Sequence, residues 1–305
     1  MPFASIEKLT ESFAAEGYLM DRSLATTVFL SNALEKPLFL EGEPGVGKTE
    51  LAKVLAKILD AELIRLQCYE GLDTSSALYE WNYAKQMLEI RLEEARGVDK
   101  QQIGANIFSE EFLLERPLLK AIQAQPPRRV VLLIDEVDRS DEEFEAFLLE
   151  VLSEFQISIP EIGTLTASQP PFVVLTSNRT RDLHDALKRR CLYHWIDYPD
   201  VEKEIGIVLA QVPGIDRRLA EQLCHFMQWI RTRELYKLPG VAETVDWAKA
   251  LITLGATELD ADTVDATLGC ILKFKGDLDV LRQSDIAASL PEALGTRGNV
   301  AAARR

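Results

Sequence analysis

The sequence predicts a parallel α/β sheet flanked by helices, followed by a smaller domain that is helical throughout. Three observations carry that expectation. A strand, a glycine-rich turn, a helix and a second strand follow one another between Pro37 and Cys68. An uninterrupted aliphatic run lies at Val130 to Ile134, and beyond Tyr198-Pro199 the apolar patterns take the helical period.

Taken in order, Pro37 to Leu40 is the first strand, and Leu51, Val54, Leu55, Ile58 and Leu59 recur at helical spacing after the turn. Leu63 to Cys68 reads as the next strand, so the three form a parallel βαβ unit. Ala77, Trp81, Ala84, Leu88 and Leu92 make a helical stripe, which the glycine and polar residues of Gly97 to Gly104 interrupt. A helix near Pro117 to Gln125 ends at the Pro126-Pro127 breaker. Val130 to Ile134 is apolar on both faces, as a central parallel strand must be. Ser140 with Glu143 reads as a capping box, after which Phe144, Phe147, Leu148, Val151, Leu152 and Phe155 line one helix face. The period then changes to two (Phe155, Ile157, Ile159), Pro160 to Gly163 turns, and Thr164 to Thr166 returns as a β-hairpin. Phe172 to Thr176 and Leu192 to Ile196 complete the sheet. Helices over Val201–Ala210, Arg218–Arg233, Val241–Thr253 and Thr263–Phe274 follow. Domains are therefore expected at 1–199 and 200–295, with an insert at about 69–94, the hairpin at about 155–167 and a loose tail at 296–305.

A chain of 305 residues has room for two cores, and 47% hydrophobic with 27% charged residues argues against long disorder, fibrous repeats or a disulfide framework. Against 34 Lys and Arg stand 49 Asp and Glu, a formal charge of −15 that repels a phosphate backbone, so no nucleic-acid partner is expected. No aliphatic run approaches the roughly 18 residues of a membrane span. Glu7 and Glu11 lie where a signal peptide would be basic and then apolar, so a cytoplasmic protein is expected. Cys68, Cys191, Cys224 and Cys270 are scattered without a C-x-x-C pair, which suits a reducing compartment, and His184, His194 and His225 have no metal-ligand spacing.

The chemistry gathers at the strand ends. Gly42-Glu43-Pro44-Gly45-Val46-Gly47-Lys48-Thr49 fits G-x-x-x-x-G-K-[ST] with a strand before it and a helix after it, and Glu50 extends the nucleotide-binding set into that helix. Glycines let such a loop fold around phosphate oxygens with its N–H groups inward, and the helix end adds positive potential. Lys48 would reach the β- and γ-phosphates of ATP and the Thr49 hydroxyl would ligate Mg²⁺. Val130 to Ile134 closes in Asp135 and Glu136: the first fits a Walker B aspartate holding Mg²⁺, the second a base that polarises the attacking water. The plain alternative is an acidic helix start, since Asp138, Asp141, Glu142 and Glu143 follow, but a buried strand in an open α/β sheet ends at the ligand crevice. Phe172 to Thr176 delivers Asn178 to the same edge, as a water-orienting residue or a turn former. Arg189 and Arg190 precede the last strand, where they solvate a helix end or reach a neighbouring subunit's γ-phosphate.

These motifs together resemble an AAA+ ATPase over most of the chain, Leu38 to Leu251. The insert Tyr69 to Glu94, the hairpin before the Asn178 strand and the run Leu133 to Arg139 look like the MoxR family. "LQCYEGLD" at Leu66, "IDEVDRSDEEFEAFLLE" at Ile134, "TSNRTRDLHDALKRRC" at Thr176 and "KLPGVAETVDWAKAL" at Lys237 look like its CoxD-like group. That resemblance implies a P-loop NTPase fold with a helical lid and ATP hydrolysis in a homo-oligomeric ring, expected as a hexamer. It gives the roles to Lys48, Thr49, Asp135, Glu136 and Asn178, with Arg190 the trans finger and Arg189 its auxiliary. It also implies maturation of an immature molybdenum or copper hydroxylase of the carbon monoxide dehydrogenase type, with a von Willebrand factor type A domain protein as partner. One departure stands out: Glu243 lies where a second-sensor arginine is looked for, leaving Arg231, Arg233 and Lys237 as unassigned substitutes.

Other classes fit less well. A GTPase needs an N-K-x-D element, and Thr176-Ser177-Asn178-Arg179-Thr180 is not one. A restriction-type nucleic-acid motor shares the catalytic core but not the charge, and a nucleotide-gated scaffold has no use for Glu136.

Overall fold

The computed structural model of the chain describes residues 3–97, 107–284 and 286–294. Nine strands are described: β1 (Leu38–Gly42), β2 (Glu62–Gln67), β3 (Tyr79–Trp81), β4 (Leu113–Glu115), β5 (Val130–Asp135), β6 (Gln156–Ile159), β7 (Gly163–Thr166), β8 (Phe172–Ser177) and β9 (Leu192–Ile196). Five of them form one sheet in the order β2-β5-β8-β1-β9, and the β2–β5, β5–β8 and β8–β1 pairings are all parallel. The chain folds into two compact units, one comprising Met1–Leu9, Asp21–Glu41 and Thr49–Trp195, the other Thr10–Met20, Gly42–Lys48 and Ile196–Arg305.

In the first unit the sheet is the core. Every residue of β5 is buried, as the aliphatic run requires, and the helix Lys48–Ile58 lays Leu51, Ala52 and Leu55 inward. Register fixes what the strand ends present: Gln67 lies opposite Asp135, Ile134 opposite Leu175, and Leu40 and Glu41 opposite Thr176 and Ser177. Polar residues from four adjacent strands are thereby brought to one carboxyl edge, the usual ligand edge of an open parallel sheet. The hairpin β6–β7 forms as expected, with Ile157 and Ile159 buried.

Two local expectations are corrected. The stripe Ala77 to Leu92 is not one helix: Thr74–Ala77 is a short turn of helix, Tyr79–Trp81 is β3 paired antiparallel to β4, and a new helix runs Tyr83–Arg96 from an Asn82 cap. Pairing of Trp81 with Leu113 is a long-range contact that local periodicity cannot register, and Leu88 and Leu92 end up exposed. The cap of the helix Glu142–Glu154 is Asp141, whose carboxylate accepts from the Phe144 N–H at 2.8 Å; the Ser140 hydroxyl instead donates to the Val137 carbonyl at 2.8 Å. The interruption at Gly97 to Gly104 and the tail 296–305 fall, Gly97 aside, outside the described residues.

The second unit carries its own core of helices Val201–Gln211, Arg217–Ile230, Val241–Thr253, Ala261–Ile271, Lys275–Gln283 and Ile286–Ala293, centred on Trp247 and Phe226. Their apolar faces bury Leu219, Leu223, Met227, Ile230, Val264 and Leu268, so this unit has the composition of a helical lid.

Candidate functional site

The phosphate-loop sequence folds as glycine chemistry demands. Gly42, Gly45 and Gly47 hold φ of 156°, 79° and 98°. A Cβ on Gly42 would stand 2.3 Å from the Ile196 carbonyl oxygen, so no other residue fits there. Lys48 is buried, and its Nζ donates to the carbonyls of Gly42 and Glu43, both at 2.7 Å, which folds the ammonium back over its own loop. The Tyr18 hydroxyl donates to Gly47 O at 3.3 Å, and Gly45 O accepts from the Ala242 N–H at 3.1 Å. Thr49, the next residue, lies in the first turn of the helix Lys48–Ile58; on the same helix the Glu50 carboxylate is taken by Lys53 at 2.9 Å.

The acids at the end of β5 are tied in from several strands. Asp135, 2% exposed, accepts at Oδ1 from the hydroxyls of Thr49 (3.0 Å) and Thr176 (2.5 Å). At Oδ2 it accepts from Arg65, Nε at 3.0 Å and Nη2 at 2.5 Å. These donors replace the water that burial takes from the carboxylate. Glu136 adopts φ 55° and ψ 50°, a left-handed conformation that costs a non-glycine residue about 1–3 kcal/mol. Its N–H donates to Thr176 Oγ1 at 2.9 Å and its Oε2 accepts from Arg139 at 3.0 Å. Strain at this position re-aims the second carboxylate out of the strand direction, so the two acids face different partners.

The Asn178 loop is held by Asp138, which accepts from the N–H groups of Asn178 (3.2 Å) and Thr180 (2.8 Å) and from the Thr180 hydroxyl (2.7 Å). Glu41, buried at the end of β1, accepts from the Tyr193 hydroxyl at 2.9 Å and the Ser177 hydroxyl at 3.4 Å. Burial, and then the neighbouring Glu41, push the Tyr193 hydroxyl up to about 12. Burial pushes the Cys68 thiol, next after β2, up to about 12, with the charges of Asp135, Asp138 and Glu136 adding to it. Arg189 and Arg190 end the helix Asp185–Arg190 and are exposed; among the described residues neither makes an ion pair within the chain.

Sequence reading missed Arg65, Thr176, Asp138, Arg139 and Glu41. Thr176 and Glu41 carry the same signal that marked Asp135, a polar residue closing a buried apolar strand. Arg65 does not, because its partner is 70 residues away. Of the substitutes for a second-sensor arginine, Arg231 is committed elsewhere. It pairs bidentately with Glu204 at 2.7 Å through both terminal nitrogens, donates to Pro239 O at 2.9 Å and stacks on Tyr198. Arg233 lies over the Trp229 ring, and the Lys237 N–H bonds Asp277. Glu243 caps its own helix, accepting from the Gly240 N–H at 2.9 Å.

A profile for the AAA domain, dynein-related subfamily, matches residues 37–191, which include the loop, both acids and Asn178. The chain belongs to this family. It is accordingly an AAA+ P-loop ATPase, and the sheet and lid described above are the fold of that class. An uncharacterized protein of Staphylococcus aureus is 26% identical over 227 residues, 72% of this chain and 77% of that one. An uncharacterized protein of Staphylococcus epidermidis is 25% identical over the same shares. Among solved structures, the Thermotoga maritima RuvB Holliday junction branch migration motor overlays with a TM-score of 0.45 at 18% identity, covering 81% of this chain and 67% of that one.

A magnesium ion is implied by the family, and the residues fit one. Thr49 and Asp135 offer a hydroxyl and a carboxylate oxygen 3.0 Å apart, hard donors that leave most positions of an octahedral ion to water and phosphate. Among the described residues no group of three or more His, Cys, Asp or Glu could hold a metal ion. No described helix is long and apolar enough to cross a membrane.

Proposed function

We propose that this chain hydrolyses ATP with Mg²⁺ held by Thr49 and Asp135, and that it does so in a ring in which Arg190 completes the neighbouring subunit's site. The observation that carries the reading is the hydrogen bond between Thr49, which follows Lys48 in the chain, and Asp135 at the tip of β5. Lys48 and the N–H groups of the Gly42–Thr49 loop bind the β- and γ-phosphates. Magnesium, when bound, neutralises charge on those phosphates. Glu136 takes a proton from water as its oxygen attacks the γ-phosphorus, and the bond to the bridging oxygen breaks to release ADP. Asn178, its backbone pinned by Asp138, orients that water. Arg190, with Arg189 beside it, neutralises the transferring phosphoryl group in trans.

The finer reading is a MoxR-family member of the CoxD-like group: a cytoplasmic, hexameric chaperone or remodelling factor. It would act on an immature molybdenum or copper hydroxylase together with a von Willebrand factor type A domain protein. Its support is the motif run at Leu66, Ile134, Thr176 and Lys237, quoted above. Phosphate release from ATP by the purified chain tests the catalytic reading. Glu136→Gln is expected to cut turnover by about 10²- to 10⁴-fold while keeping nucleotide bound; full turnover in that variant removes Glu136 from the base role. Co-purification with a von Willebrand type A protein and a molybdenum enzyme tests the biological one, and their absence from a tagged-chain isolate counts against it.

A further inference from the structure

Asp135 carries a cation of its own. Arg65, on β2, puts Nε and Nη2 on Asp135 Oδ2 at 3.0 and 2.5 Å, while Thr49 and Thr176 occupy Oδ1. The carboxylate is 3% exposed and the guanidinium 50% exposed, so water reaches one partner of the pair and not the other. Arg65 also has a second acceptor on its own strand: Gln67, two residues on and therefore on the same face, takes Nη2 at 2.5 Å. The pair is built so that the arginine can leave without stranding its charge, whereas Asp135 cannot lose a positive partner without being left as a buried, unpaired anion.

From this arrangement we infer that Arg65 is a positioning residue that holds Asp135 aimed before nucleotide arrives and yields it to magnesium, falling back on Gln67 and solvent. The inference rests on the ATP–magnesium reading given above and deepens it, because it makes the ion compete with a resident guanidinium. Two cations on one carboxylate group repel, and their exchange sets the magnesium concentration at which the site closes on its substrate. An arginine suits the positioning better than a lysine would, since its planar fork puts two N–H donors on the carboxylate and fixes its plane.

The test is a magnesium titration of binding, read by fluorescence of a labelled non-hydrolysable ATP analogue, so that turnover plays no part. Removing the competitor in Arg65→Ala is expected to lower the magnesium midpoint by about tenfold, the lower end of what one neighbouring opposite charge does to a carboxylate and suited to a half-exposed partner. Arg65→Lys is expected to restore a midpoint close to wild type. In an Asp135→Asn background the Arg65→Ala shift should vanish, because the two residues act as one unit. A midpoint within twofold of wild type in Arg65→Ala, or a shift that persists beside Asp135→Asn, overturns the inference. Arg65→Gln, which preserves much of the side-chain volume, serves if the alanine variant does not fold. A wild-type chain that binds no analogue at all overturns the ATP–magnesium reading and this inference together, whereas binding with an unmoved midpoint overturns only this one.

Discussion

Asp135 in the first unit and Glu204 in the second are both buried carboxylates held by an arginine and a threonine. Their arginines differ. Arg65 is 50% exposed beside Asp135, and Arg231 is 6% exposed beside Glu204. Glu204 also accepts from Thr244 at 2.6 Å and Gln228 at 2.9 Å, and Arg231 is closed in by Pro239 and Tyr198. The sealed pair gives the lid helices a fixed polar joint, since neither ion can leave without desolvation cost. The open pair has a partner that can be exchanged for another cation. Burial of one carboxylate thus says little about its role; the exposure of its counter-ion says more.

The comparison can be broken at several points. The largest effect is expected at Arg190, exposed and unpaired within its chain among the described residues. Arg190→Ala should reduce ATP turnover by about 10³- to 10⁵-fold with nucleotide affinity retained, measured by phosphate release and equilibrium binding. Unchanged turnover would mean that no neighbouring subunit uses it. Next comes the sealed pair: Glu204→Ala strands the Arg231 charge and should lower unfolding free energy by about 3–5 kcal/mol in a denaturant titration. Asp135→Asn leaves a half-solvated arginine behind, and its stability loss should be only about 1 kcal/mol. Equal losses in the two variants would erase the distinction between them.

The smallest effect concerns thiols. Burial, more than the surrounding acids, raises Cys68 to about 12, and burial alone raises Cys191 to about 12, both from 9.0. Native protein should therefore be alkylated at Cys270, which is partly exposed, well before Cys68 or Cys191 at mildly alkaline pH. The sign for stability follows from the same shifts. Unfolded thiols lose protons that the folded ones keep, so stability is intact below about 9 and falls as pH rises toward about 12.

The strand-end chemistry was legible in the sequence because each site element closes a buried apolar run. Pro37 to Leu40 leads to the glycine loop, Val130 to Ile134 to Asp135, and Phe172 to Thr176 to Asn178. A charge after such a run has to be useful or satisfied, and either way it marks the carboxyl edge. What was not legible depends on long-range pairing. Trp81 looked helical by spacing and is a strand because Leu113 lies across from it. Arg65 drew no reading of its own within the strand Leu63 to Cys68 and is an ion-pair partner because β2 and β5 are in register. Helices Ile6–Ala15 and Lys275–Gln283 escaped although amphipathic, their patterns running over only 10 and 9 residues, and in Arg22–Leu34 the amphipathic pattern is weak. Asp141 displaced Ser140 as a cap by one position, a shift that two adjacent capping residues leave undecided until the backbone is known.

Calorimetric titration of ATP into the wild-type chain, with and without magnesium, tests the proposed roles of Lys48, Thr49 and Asp135 most directly. One nucleotide per chain should bind, more tightly with the metal. Lys48→Ala should abolish that binding, and Asp135→Asn should keep it while weakening its magnesium dependence. Binding that ignores the metal in wild type and survives loss of the Lys48 ammonium would contradict a common phosphate and magnesium site.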